Sequence, residues 1–256
     1  MKLHKWLLSA AAAGMLTAPG VAQAALIEFW DYEVETQWAN WAPAGVSHFE
    51  EAGEDVLEWG TPTSGTNRSQ LRITKSLNGT IETNGSGSPG ATLTHNNWPI
   101  TGTELSSTDL IVDIKFAPSG TSLGSPFTQT FIISFDETPN ETPCLYPGAN
   151  EVPCDDLFIL RNPDDLTINF VLDGYLYTAS LVFDQAAFTS AGGTIGFGDI
   201  DGDGTDELYF LTRENQASVL PTTIVITAVP VPEPAALALV GAGLAGLGFT
   251  MRRRKS

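Results

Sequence analysis

Positive charge is scarce in this chain. Of its 256 residues only 12 are Lys or Arg, against 30 Asp or Glu. Lys2, Lys5, Arg252, Arg253, Arg254 and Lys255 sit at the two ends, which leaves six basic and 29 acidic residues in the body from Ala25 to Val231, a formal charge of −23. A surface of that sign repels phosphate backbones and anionic membranes, because both are held by clustered Lys and Arg. Nucleic-acid binding is therefore excluded. Histidine is rare as well: beyond His4 there are only His48 and His95, neither in an H-E-x-x-H or related metal spacing. No internal repeat and no Pro/Gly/Ser-rich linker divides the body, whose length suits one domain with a substantial core.

The ends carry the clearest signals. Lys2 and Lys5 precede an apolar stretch from Trp6 to Ala18, then Pro19-Gly20 and Ala22-Gln23-Ala24. A cationic start, a short apolar core and an A-x-A site are what a signal peptidase reads, so residues 1–24 are expected to be a signal peptide and Ala25 the mature start. At the other end Val229-Pro230-Val231-Pro232-Glu233-Pro234 is followed by an apolar run from Ala235 to Met251 and by Arg252-Arg253-Arg254-Lys255-Ser256. Proline interrupts strand and helix alike, so this segment separates the body from the tail. Cations after an apolar helix hold that end on the cytoplasmic side, which leaves the body outside.

Pro232, Glu233 and Pro234, a short apolar helix and the cluster Arg252, Arg253 and Arg254, in that order, resemble the PEP-CTERM sorting signal. The resemblance implies recognition by an exosortase, export in a Gram-negative bacterium that makes exopolysaccharide, and transient anchoring in the inner membrane by a C-terminal transmembrane helix. The expected organisation is thus 1–24 signal peptide, 25–229 body and 230–256 sorting signal. In an exported body Cys144 and Cys154, ten residues apart around a turn-rich Leu-Tyr-Pro-Gly-Ala-Asn-Glu-Val-Pro, are expected to form a disulfide.

The body reads as all-β, a β-sandwich or jelly roll. Its apolar pattern has period two or comes in short runs, with turn residues at short intervals. Leu110 to Phe116 alternates as a half-buried strand does, and Leu26 to Trp30, Thr130 to Phe135, Leu157 to Leu160, Tyr175 to Phe183 and Thr222 to Ala228 are further strand candidates. Asn78 to Gly90, rich in Gly, Asn and Ser, reads as a loop. Trp30, Trp38, Trp41 and Trp59 suit either the core or a stacking platform for sugar rings, with core packing the commoner use of such area.

Two motifs bear on chemistry. Asp199-Ile200-Asp201-Gly202-Asp203-Gly204-Thr205-Asp206-Glu207 places carboxylates at alternate positions, a Gly at the sharp turn and an acid at the ninth position. Such a loop can wrap a hard cation, so Asp199, Asp201, Asp203, Thr205 and Glu207 are candidate Ca²⁺ ligands. It departs from an EF-hand in having Phe210 at position 12 and strand-like flanks; the alternative is a metal-free acidic hairpin turn. Thr94, His95 and Asn97, together with the tail, resemble the THxN family of PEP-CTERM exported proteins. That resemblance implies a β-rich exported body and no particular reaction. In an extended segment His95 and Asn97 share a face, where they would hold a ligand or satisfy backbone groups before Pro99.

Signals for catalysis are poor, and no catalytic residue is assigned. Gly120-Thr121-Ser122-Leu123-Gly124 fits G-x-S-x-G by letter but leads into a strand where a nucleophile elbow needs a helix. Asp155/Asp156 and Asp164/Asp165 read as solvated turns, although a glycosidase also uses paired acids. The leading expectation is a non-enzymatic protein of the cell surface or exopolysaccharide matrix, handled in export by signal peptidase and exosortase and associated with extracellular polysaccharide. Its alternatives are a carbohydrate-binding module and a glycan-acting hydrolase.

Overall fold

A computed structural model describes residues 25–231 apart from 140, 142 and 147–153. The expected signal peptide, Pro232-Glu233-Pro234, the apolar run from Ala235 and Arg252 to Arg254 lie outside the described residues. The chain forms β1 (Phe29–Ala42), β2 (Ser47–Glu51), β3 (Glu54–Trp59), β4 (Thr61–Pro62), β5 (Ser69–Thr74), β6 (Ser76–Glu82), β7 (Ser88–Asn97) and β8 (Ile100–Thr101). It continues through β9 (Ser107–Pro118), β10 (Phe127–Asp136), β11 (Asp156–Leu160), β12 (Thr167–Leu172), β13 (Tyr175–Phe183), α1 (Gln185–Ser190), β14 (Thr194–Gly198), β15 (Glu207–Thr212) and β16 (Gln216–Pro230). Among the described residues the body is therefore all-β but for one short helix and a single 3₁₀ turn at Pro163–Leu166.

Two seven-stranded antiparallel sheets carry the fold, in the orders β14-β15-β11-β10-β9-β1-β6 and β12-β13-β16-β7-β5-β3-β2. Their facing sides share one core. Along β1, Trp30, Tyr32, Val34, Thr36 and Trp38 are buried in alternation, and along β16 Ser218, Leu220, Thr222, Ile224 and Ile226 repeat the pattern. This is the period-two geometry of a strand that covers a core on one side only. Trp30 meets Phe170 and Tyr177 of the opposite sheet edge-on, with ring centroids 5.4 and 4.9 Å apart, the arrangement that aromatic quadrupoles favour. Trp30, Trp38 and Trp59 are all core residues. Trp41 and Trp98 are half-buried, so core packing takes three of the four crowded tryptophans.

Two sequence expectations need correction. The stretch 78–90 is not a loop: β6 and the start of β7 run through it, with only a tight turn between them, where Asn84 takes a φ of 60° and Gly87 of 86°. Gly and Asn there serve the turn, while pairing of β6 with β1 and of β7 with β16 supplies what the local composition lacks. Asp155 and Asp156 are not a solvated turn either, since both are buried. β11 is buried on both faces. Phe158 and Leu160 enter the main core, while Leu157 and Ile159 pack with Leu211 beneath Tyr146, Ile200 and Tyr209. The outer face of this strand is thus covered by Tyr146, near Cys144, and by Ile200 of the acidic loop.

Candidate functional site

Around Asp156 the inner faces of the two sheets turn from apolar to polar. Phe135, Phe158 and Phe210 occupy one row across β10, β11 and β15 by strand register. In the next row on the same face, two residues after Phe135 and Phe210 but two before Phe158 on the antiparallel β11, stand Glu137, Thr212 and Asp156, with Glu214 beyond Thr212. One carboxylate oxygen from each of Glu137, Asp156 and Glu214 lies within 4.8 Å of the others.

The surrounding groups hold these acids in place. Thr138 donates its backbone N–H to Asp156 Oδ1 at 2.9 Å, and its hydroxyl reaches the same oxygen at 3.4 Å. Trp59 Nε1 donates to Glu137 Oε2 at 3.0 Å. Asp156 is 0% exposed, and its Oδ2 has no hydrogen-bond partner among the described residues. Removal from water, reinforced by the neighbouring carboxylates, pushes the Asp156 carboxyl well above the usual range. Burial does the same to Glu137, raising it to about 8 against the donation from Trp59, with Glu214, Glu104 and Asp136 adding repulsion.

Thr94, His95 and Asn97 lie at the end of β7 on the opposite sheet, and His95 and Asn97 share the inward face. His95 Nδ1 and Thr212 Oγ1 share a hydrogen bond of 2.8 Å, and Asn97 Nδ2 donates to the Thr212 carbonyl at 3.2 Å. Thr94 pairs with Val219 and Arg72 across the sheet. Burial lowers the His95 pKa to about 3, so the ring is neutral. No turn precedes Pro99 for these side chains to cap. They instead cross the core and tie β7 to β15, immediately beneath the carboxylate trio.

The acidic loop joins β14 to β15 as a hairpin connection. Asp199, Asp201, Asp203 and Glu207 bring one carboxylate oxygen each to within 4.8 Å of one another. Gly202 and Gly204 have φ of 78° and 91°, the left-handed region that favours glycine. Asp199 accepts from Gly204 N at 3.1 Å, Asp201 from Asp203 N at 3.2 Å, and Asp203 from Thr205 N at 2.9 Å. Thr205, expected to offer its backbone carbonyl, donates its N–H to Asp203.

Arg161, which the sequence pattern did not single out, lies among the loop acids. Its guanidinium reaches Glu207 at 2.7 Å, Asp201 at 2.8 Å and Asp203 at 3.4 Å. The contact holds Asp201 below the ordinary carboxylate range. Burial, with repulsion from Asp201 and Asp203, holds Glu207 above it. The loop therefore has the oxygen set of a hard-cation site and an internal counterion that a metal would have to displace.

Cys144 and Cys154 are joined by a disulfide, with Cα atoms 5.5 Å apart. The bridge anchors the segment two residues before Asp156. The Gly120 to Gly124 segment connects β9 to β10 without a helix, so Ser122 has no nucleophile elbow around it.

The body that carries these sites is all-β, strongly acidic and disulfide-bonded. Its last strand ends at Pro230, and residues 230–255 match the PEP-CTERM protein-sorting motif. The chain thus carries a membrane-anchoring sorting signal and is an exported protein recognised and processed by an exosortase. No curated protein matches the chain. Among the described residues no helix is long and apolar enough to cross a membrane, and the apolar run of the sorting motif lies outside them.

Proposed function

We propose that this protein is a non-enzymatic component of the cell surface or exopolysaccharide matrix of a Gram-negative bacterium. In this reading signal peptidase removes residues 1–24, the tail holds the protein briefly in the inner membrane, and an exosortase then processes it near Pro232-Glu233-Pro234. The observation that carries the reading is the sorting motif itself, which follows directly on the last strand of the folded body. The body's formal charge of −23 favours solvation and cation-mediated association with acidic or neutral polysaccharide over adhesion to phosphate or anionic lipid. Ca²⁺ on Asp199, Asp201, Asp203 and Glu207, with the Thr205 backbone, would supply such a link by displacing Arg161.

Burial of Asp156 and Glu214 weighs against a glycan-cleaving acid pair at the carboxylate trio, since a scissile bond must reach both carboxyls. Burial of Trp30, Trp38 and Trp59 likewise weighs against the carbohydrate-binding module. The Thr94, His95 and Asn97 motif is read as a structural tie between the sheets, and membership of the THxN group rests on these three residues and the tail.

The test is an intact mass of the protein recovered from the extracellular fraction of its producer. A mass lacking both residues 1–24 and the segment after Pro234 supports a released matrix component. A mass that retains residues 235–256, with the protein found in the membrane fraction, would replace this reading with a tethered anchor.

A further inference from the structure

We propose that Glu137, Asp156 and Glu214 form a calcium site built into the end of the sandwich, separate from the acidic loop. It does not depend on the loop holding Ca²⁺.

Three carboxyl groups converge here from the ends of three neighbouring strands, each with an oxygen within 4.8 Å of the other two. Asp156 is wholly buried, with Oδ1 fixed by Thr138 and Oδ2, the oxygen left for a ligand, without a partner among the described residues. Asn97 Oδ1 is a second buried oxygen in this state, on the residue whose amide holds Thr212 beside Asp156. Buried oxygens of this kind are rare unless an ion, water or proton meets them.

The protein is poor in cations. Its body holds six basic residues. Arg68, Arg72, Lys75, Lys115 and Arg161 are engaged in ion pairs elsewhere, and Arg213 is exposed. Three carboxyl groups that reach a charge of −3 only when an entering cation displaces their protons are hard oxygen ligands suited to Ca²⁺, which accepts irregular carboxylate sets and fills its remaining positions with water or carbonyl oxygen.

Supporting groups are in place as well. Trp59 orients Glu137 and Thr138 orients Asp156, as outer partners commonly fix metal-binding carboxylates. A route in exists: a surface cleft of about 540 Å³, lined by Pro43, Gly102, Glu104, Ser106 and Asp136, reaches Glu137.

The experiment uses the protein as exported by its producer, stripped with EGTA and titrated with CaCl₂ by calorimetry, first with the loop disabled as Asp199→Asn/Asp201→Asn/Asp203→Asn. The loop variant is expected to retain one equivalent of Ca²⁺. Adding Asp156→Asn should weaken that binding by about 100-fold. A loop variant that binds no Ca²⁺ would overturn the proposal and leave the trio as a proton-sharing carboxyl cluster.

Terbium luminescence guards against a variant that merely misfolds. With the loop disabled, Tb³⁺ in the trio lies next to the indole of Trp59 and should emit on tryptophan excitation, and Trp59→Phe, which also loses the hydrogen bond to Glu137 and so binds more weakly, should lose most of that emission even at Tb³⁺ concentrations that calorimetry shows to saturate the site. Emission unchanged in Trp59→Phe would place the ion elsewhere and overturn the assignment.

Discussion

The indole of Trp59 lies flat against the imidazole of His95, with ring centroids 5.7 Å apart and planes 13° from parallel. Phe135 and Phe158 meet the same imidazole edge-on at 5.4 and 4.8 Å. A histidine enclosed by three aromatic rings and only 2% exposed must stay neutral, which is why its pKa is lowered to about 3.

That burial sets the sign of a pH effect. The folded protein leaves His95 unprotonated between about pH 6.5 and 3, whereas the unfolded chain binds the proton. The penalty is absent above pH 6.5, and stability is lost as pH falls through this window at up to about 1.4 kcal/mol per pH unit. Carboxylates titrate in the same range, so the diagnostic quantity is the difference between the wild type and His95→Leu. Urea midpoints measured from pH 7 to 4 should show the variant less stable at pH 7 but with a shallower acid slope. Parallel slopes would mean that His95 is accessible to protons in the folded state.

Asn97 offers a simpler case. It is fully buried, and its amide donates to the Thr212 carbonyl across the core. Asn97→Ala removes that donor and leaves a small void, so a loss of about 1–3 kcal/mol is expected in chemical denaturation. A change below a few tenths of a kcal/mol would show that β7 and β15 are held together without this tie.

The disulfide should act on the same end of the molecule. Cys154 lies two residues before Asp156, and the bridge to Cys144 closes a loop with a sequence separation of 10. Replacing both cysteines by serine should cost about 2–4 kcal/mol. Calorimetry of the oxidised, reduced and double-serine proteins should give a high melting temperature for the first and a common lower one for the other two.

Much of the body was legible in the sequence where one strand face carries apolar residues and the other does not. Tyr175 to Phe183 is β13, and the alternation of Leu110 to Phe116 lies within β9. β1 was read only as far as Trp30, although Tyr32, Val34 and Trp38 continue the alternation between Asp31, Glu33 and Glu35; the acids belong to its outer face. The acidic loop was legible because its ligands are contiguous. The carboxylate trio was not, because Glu214 reaches Glu137 and Asp156 only through the pairing of β15 with β11, strands separated in the chain by β12, β13 and β14. Arg161 escaped notice for the same reason: nothing near it in sequence marks it as the counterion of a loop that begins at Asp199.

Arg161 gives the sharpest separation between a loop that binds calcium and one that does not. Its guanidinium bridges Asp201, Asp203 and the nearly buried Glu207, and its Nε donates to Ser134 at 3.0 Å. Replacing it with Gln leaves the loop acids to repel one another around a carboxylate that water barely reaches, and in EGTA the loss should be about 2 kcal/mol. If Ca²⁺ takes the place of the guanidinium, millimolar CaCl₂ should restore most of that stability, and Arg161→Gln should bind the ion at the loop more tightly than the wild type, because nothing then has to be displaced. If Arg161 is instead the permanent partner of these acids, the variant will stay destabilised in calcium and EGTA alike, and the loop will be an internally neutralised hairpin turn.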